Sequence, residues 1–167
     1  MSKLIFFEGI DKSGKSTLRR NFELQNNYQY VCHDRSILSQ LVYNKVYKRE
    51  HDNDILYKIS KDICKHSVIV LCIVNANDFL ERIESTDEMK CHTISRRSLF
   101  YQQTIFIDIV NKLKANFIEI NTSANNIDAC VNKLQNFMEI CDDMNDVINN
   151  DLDDDSWYSR GAYPDDD

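Results

Sequence analysis

Glycine and proline are nearly absent from this chain: its 167 residues contain three glycines and one proline. No glycine- or proline-rich linker divides it, no internal repeat is visible, and its length suits one compact core. No apolar run approaches the ~18 residues that a membrane span needs. Met1-Ser2-Lys3 leads directly into an apolar, strand-like segment, without the regions of a signal peptide. The expectation is a cytoplasmic protein with no membrane partner. Cysteine is present but never in a C-x-x-C pair: Cys32, Cys64, Cys72, Cys91, Cys130 and Cys141 are scattered, and the four histidines fall at no ligand spacing with them. That pattern argues against a structural zinc site, and the thiols read as reduced and mostly buried.

Positive charge is missing from one end. From Asp142 onward ten aspartates face a single cation, Arg160, so this segment carries about −9 and the remainder about +2 of the net −7. Residues 145–167 have little periodicity and hold Trp157, Gly161 and Pro164. They are expected to form a flexible acidic tail behind a domain spanning residues 1–144. A sharper alternative has Trp157, Tyr158 and Tyr163 docking while the aspartates repel or mimic nucleic acid. The abundance of Asn, Ile, Asp and Lys suggests an AT-rich genome; on composition alone a viral source is the guess, and the host cytoplasm would then be the location.

The other two glycines, Gly9 and Gly14, lie in one nonapeptide, GIDKSGKST, which satisfies the phosphate-loop pattern G-x-x-x-x-G-K-[ST] from Gly9 to Ser16. An apolar run, Lys3 to Phe7, precedes it, and Leu18 and Phe22 follow at helical spacing. Strand, loop and helix are the context that the pattern requires. Backbone N–H groups of such a loop turn inward beside the positive end of the helix dipole and cradle phosphates. Gly9, Ile10, Asp11, Lys12, Ser13, Gly14, Lys15, Ser16 and Thr17 are therefore the candidate ATP-binding residues. Lys15 should reach the β and γ phosphates and the Ser16 hydroxyl should ligate Mg2+, while Thr17 is expected to cap or pack.

Beyond the loop, strand and helix patterns alternate. Tyr28 to Cys32 reads as a short strand, followed by His33-Asp34-Arg35-Ser36 at its carboxyl end, where ligands bind in open α/β sheets. Residues 37–48 and 54–64 read as helices, the first with Ile37, Leu41 and Val42 inward, the second with Ile55, Ile59 and Ile63 inward. Ser67 to Val74 is a continuous apolar run of the buried parallel type. Helices over 78–84 and 95–115, a strand over 116–120 and a helix over 125–138 complete the pattern. The fold class is α/β: a three-layer, doubly wound parallel sheet of four to five strands.

FFEGIDKSGKST, then DRSILSQLVY, then a buried strand with NANDFLERI, then a long helix and FIEINTS, together resemble the thymidylate kinase group of P-loop nucleotide kinases. The resemblance covers roughly residues 3–138 and is strongest at the loop. It implies transfer of the ATP γ-phosphoryl group to a deoxynucleoside monophosphate, with ATP and Mg2+ as cofactors and a homodimer as an expected assembly. It also implies that Asp11 faces the sugar of the acceptor nucleotide. Lys12 matches the basic loop residue of eukaryotic-type members, which place a cation in the loop and not in the lid. The candidate lid here, Glu84 to Lys90, is indeed mostly acidic or neutral.

Asp34-Arg35 matches the family's Asp-Arg dipeptide. Arg35 offers a bidentate fork for the acceptor phosphate, and Asp34 could position Mg2+ or its water. The catalytic set is thus Lys15, Lys12, Asp34 and Arg35; the acceptor set Asp11, Arg35 and Tyr43; the metal set Ser16 and Asp34. Arg96 joins the ATP-binding set as a residue able to close over ATP, and Arg82 and Arg97 are further cations beside the lid. Asn121-Thr122-Ser123 lies where the family's backbone approaches adenine.

One departure matters. The family places an Arg-Glu-Pro-like strand end and two acceptor-binding helices between the first helix and the Asp-Arg strand, and this chain has only a turn and a strand there. Tyr43, Tyr47 and Tyr57 are the candidate substitutes for the lost pocket. Three alternatives stay open: a kinase of a nucleoside or polynucleotide hydroxyl, with Asp34 as general base; a GTPase-like switch, disfavoured because Ala76 interrupts Asn75-Ala76-Asn77-Asp78; and a catalytically inactive nucleotide-binding scaffold. Nucleic acid is a partner in the second-ranked, hydroxyl-kinase reading alone.

Overall fold

The computed structural model describes residues 4–49, 52–84, 96–123 and 126–152. The strands are β1 (Leu4–Glu8), β2 (Val31–Asp34), β3 (Ser67–Ile73) and β4 (Phe117–Asn121). The helices are α1 (Lys15–Gln25), α2 (Ile37–Tyr47), α3 (Asn53–Lys65), α4 (Ala76–Glu84), α5 (Arg96–Leu113) and α6 (Ile127–Leu152). The four strands form one parallel sheet in the order β2-β1-β3-β4. This is the α/β architecture that the alternating sequence pattern implies. No helix among the described residues is long and apolar enough to cross a membrane.

The sheet is buried on both faces because alternate residues of its central strands have different partners. Ile69 and Leu71 of β3 join Leu38, Leu41 and Val42 of α2, Cys64 of α3 and Phe106, Ile109 and Val110 of α5 in one apolar cluster. On the opposite face the Phe7 ring of β1 meets Phe22 of α1 at 6.3 Å. Every residue of β3 from Ser67 to Cys72 is buried, as the continuous apolar run requires. The parallel connections place the carboxyl ends of β1 and β2 side by side, with Phe7 registered against Asp34.

β2 and α3 differ from the periodicity. The second strand runs Val31–Asp34 and not over Tyr28–Cys32. Asn27 and Tyr28 take left-handed conformations with φ of 49° and 57°, which an extended strand cannot include. Tyr30 stacks on Phe22 at 5.5 Å. In α3 the inward stripe is Leu56, Ser60, Ile63 and Cys64, whereas Ile55 and Ile59 are 52% and 40% exposed. Both stripes have helical spacing; the contacts of α3 with α2, β3 and α5 select the less apolar one.

The chain divides into two compact units, residues 1–134 and 135–167. Helix α6 begins in the first and continues through the second to Leu152. It therefore extends well beyond Met138. The stretch from Glu139 to Leu152 contains neither glycine nor proline to stop it. Within it Cys141 is buried. Trp157, Tyr158 and Tyr163 lie outside the described residues, as does Cys91. Among the described residues the cysteines form no disulfide, and they are buried at Cys64, Cys72, Cys130 and Cys141 and half-buried at Cys32.

Candidate active site

The loop from Gly9 to Ser16 turns tightly between β1 and α1, and its two glycines are where the backbone requires them. Gly9 has φ of 136°, and a Cβ there would lie 2.3 Å from the Cys72 carbonyl oxygen of β3. Gly14, with φ of 84°, is the N-terminal cap of α1 and offers no side-chain bond to it. The first-turn N–H groups of α1 are thus left for a ligand, as anion recognition at a helix N-terminus requires. Lys12 also adopts a left-handed conformation, with φ of 62°. Ile10 is fully buried, and its carbonyl accepts from Ser13 N at 3.2 Å.

The Lys15 side chain is buried and its Nζ donates to Ile10 O at 2.8 Å, folding back over the loop. Burial, then the nearby Arg35 charge, pushes the ammonium below its ordinary value of 10.5. Asp11 and Asp34 oppose that shift, and a phosphate beside the ammonium would oppose it further. Ser16, the next residue, is exposed and its Oγ donates to Asp34 Oδ2 at 2.5 Å. Thr17 neither caps α1 nor packs into the core: it is exposed, because the cap position falls at Gly14 and the inward position at Leu18.

Arg35 is the junction of the second half of the site. Its N–H donates to Phe7 O at 2.9 Å, and its left-handed conformation, φ 70°, turns the chain from β2 toward α2. The guanidinium donates to Asp11 Oδ1, Tyr43 Oη and Ser39 Oγ and lies 5.4 Å from the centre of the Tyr43 ring. Burial raises the Tyr43 phenol above its ordinary value of 10, with Arg35 opposing the shift. The structure thus brings together Lys15, Ser16, Asp34, Arg35, Asp11 and Tyr43 at the carboxyl ends of β1 and β2. Tyr47 extends this edge, 6.2 Å from the Tyr43 ring. Tyr57 does not join it, since its hydroxyl donates to Lys112 O at 3.4 Å between α3 and α5.

A cleft of about 460 Å³ opens on the other side of the loop, lined by Lys12, Gly14, Thr17, Arg82, Thr122 and Ile127 among others. Its walls are clasped by Arg82, which donates to Lys12 O at 3.0 Å, Thr122 Oγ1 at 3.1 Å and Thr122 O at 2.9 Å. Thr122 Oγ1 donates in turn to Ser13 O at 2.7 Å. Arg82 was legible in the sequence as a cation but not as a clasp, because its partners lie 40 and 70 residues away. Arg96 opens α5 and Glu84 closes α4, and the side chains of both, with Arg97 and the candidate lid to Lys90, lie outside the described residues.

The sequence reading also passed over Glu8. This carboxylate is fully buried at the end of β1 and accepts from Ser36 N, Ser36 Oγ and Ser39 Oγ, each at 2.6 Å. A glutamate closing an apolar strand just before the loop was the available signal.

Mg2+ fits the donor set. Ser16 and Asp34 offer a hydroxyl and a carboxylate within 2.5 Å of one another, both hard oxygen ligands and both exposed. No cluster of three or more acidic, His or Cys side chains competes for a cation among the described residues. An ion that retains waters and takes its remaining ligands from phosphates suits such a sparse site.

No protein-family model and no curated protein sequence matches the chain. Solved structures do match. The YorR protein of Bacillus subtilis, in complex with phosphorylated GDP, superposes with a TM-score of 0.63 and 14% identity over 83% of this chain and 96% of its own. Thymidylate kinase of Candida albicans gives 0.58 and 14% over 84% of this chain and 92% of its own. The fold is that of the thymidylate kinases. The enzyme of Ehrlichia chaffeensis extends the similarity, with a TM-score of 0.50 and 15% identity over 83% of this chain and 98% of its own.

Proposed function

We propose that this protein is a magnesium-dependent ATP phosphotransferase that transfers the γ-phosphoryl group to a deoxynucleoside monophosphate. The observation that carries the reading is the placement of two anion-binding halves against one another. Lys15 and the N-terminus of α1 form one, and the Arg35 guanidinium, oriented by Asp11, Ser39 and Tyr43, forms the other. A phosphoryl group between them would be flanked by cations in line with donor and acceptor. Mg2+ would be held by Ser16 and Asp34 and would neutralise charge on the donor phosphates. Lys12 would add charge from the loop, and the cleft bounded by Arg82 and Thr122 would receive the adenine end of ATP.

A hydroxyl acceptor, with Asp34 as general base, is the second reading. The bond from Ser16 Oγ to Asp34 favours a metal role for this carboxylate over a base role. The deciding experiment supplies purified protein, ATP and Mg2+ with each deoxynucleoside monophosphate, each nucleoside, and a DNA oligonucleotide bearing a 5′ hydroxyl. ATP consumption with one or more monophosphates is expected. Turnover confined to a nucleoside or DNA would move the protein to the second reading, and ATP binding without turnover would make it a scaffold.

A further inference from the structure

Glu8 is a side chain with no role in the chemistry proposed above, yet it is fully buried and accepts three hydrogen bonds. Its three donor groups belong to two residues, Ser36, the N-terminal cap of α2, and Ser39 in the first turn of that helix. The Ser36 amide and hydroxyl converge on Oε1, and the Ser39 hydroxyl meets Oε2. As the cap, Ser36 also accepts from Leu38 N at 3.1 Å. Ser39 Oγ, while donating to Glu8, accepts from Arg35 Nη1 at 3.3 Å. The chain of contacts runs from Glu8 through Ser39 to the guanidinium that Asp11 and Tyr43 hold from its other sides.

The turn from β2 into α2 needs an anchor. Arg35 is held in a left-handed conformation, which costs a non-glycine residue on the order of 1–3 kcal/mol and persists only when its surroundings over-determine it. β2 is short and lies at the end of the strand order, so its own pairing supplies little constraint. Buried hydrogen bonds to Glu8 on the central strand β1 provide it.

We propose that Glu8 is a positioning residue for the acceptor half of the site: through Ser36 and Ser39 it fixes the turn that aims Arg35 at the acceptor phosphate. The inference rests on the phosphotransferase reading for the identity of the acceptor, but not for the ordering of Arg35. Misplacing a binding group by about 1 Å costs on the order of 10²-fold in rate, so the effect should appear in acceptor kinetics and not in ATP binding.

Glu8→Gln keeps the shape but turns one acceptor into an N–H2 that faces donors; Ser39→Ala removes the relay and leaves Glu8 in place. Both are compared with Arg35→Ala and with the Glu8→Gln/Arg35→Ala double variant. Two readouts are taken: KM for each substrate, and NMR of the Ser36 amide exchange and the Arg35 side-chain Nε–H signal. Each single variant should raise the monophosphate KM about tenfold or more while the ATP KM stays within about twofold. Glu8→Gln should add nothing once Arg35 is alanine. Ser36 exchange should accelerate, and the Arg35 signal should broaden. Equal changes in both KM values, full additivity with Arg35→Ala, or an unaltered Arg35 signal would overturn the proposal. A wild-type protein that transfers to no monophosphate, while Glu8→Gln still disorders Arg35, would reject the acceptor assignment and leave Glu8 as the anchor of the turn.

Discussion

The Ser16 hydroxyl donates to the Asp34 carboxylate at 2.5 Å, tying the first turn of α1 to the last residue of β2. Both residues are exposed, and in the proposed function they hold Mg2+. Asp34→Asn should therefore raise the Mg2+ concentration needed for half-maximal activity about 10–100-fold, the usual cost of losing a group that orients or tunes a metal site. Metal titration of the variant beside wild type measures this, with nucleotide affinity in the absence of metal expected to stay near the wild-type value.

Lys15→Met should lower phosphoryl transfer by about 10²–10³-fold, as loss of one transition-state donor does. It should also stabilise the unliganded protein. Burial and the Arg35 charge lower the Lys15 pKa from 10.5, so the folded state binds this proton less tightly than the unfolded chain. The cost is fully present below the folded-state value and disappears as pH rises past 10.5. The variant is expected to melt a few degrees higher at pH 7, at about 2–4 °C per kcal/mol, after subtraction of the lost bond to Ile10. That advantage should shrink at strongly alkaline pH and reverse when ATP and Mg2+ stabilise the wild type. Calorimetric scans across pH, with and without nucleotide, follow each change.

Gly9→Ala tests the loop's geometry without touching a charge. A Cβ would meet the Cys72 carbonyl at 2.3 Å and Ser13 Oγ at 2.9 Å, in a backbone conformation foreign to alanine. Backbone strain and overpacking together should cost on the order of 2–4 kcal/mol, read as a lower midpoint in urea unfolding. Nucleotide binding should fall with it.

Arg82 joins the loop to the turn after β4 through three hydrogen bonds. Arg82→Ala should weaken ATP binding by about 1–3 kcal/mol, the cost of unpaired acceptors and a loosened cleft. Arg82→Lys should recover only part of it, since one ammonium cannot reproduce the fork. Isothermal titration with ATP distinguishes the three proteins.

Much of this architecture was legible because it is local. The phosphate loop is a contiguous backbone requirement, visible in the placement of Gly9, Gly14, Lys15 and Ser16. The buried run of β3 needs no partner to be recognised. What escaped the sequence depends on distant neighbours: Glu8 acquires meaning from serines 28 and 31 residues later, and Arg82 from a carbonyl 70 residues earlier. The α3 stripe failed for a related reason. Ile55 and Ile59 are the more apolar choice, but α3 packs through Ser60 and Cys64, and no periodicity distinguishes the two faces.

The sheet order leaves β2 bonded to β1 alone, while Lys15 stands at the start of α1, directly after the loop that follows the central strand β1. The two halves of the site consequently have unequal mechanical security. Peeling a four-residue strand from one neighbour would carry Asp34 and Arg35 away and leave the phosphate cradle standing, a local opening far cheaper than melting the domain. A nucleotide pair spanning both halves would act as a rivet across that seam. Heat inactivation would then set in below the melting temperature of the free protein, and bound substrates would close the gap between the two.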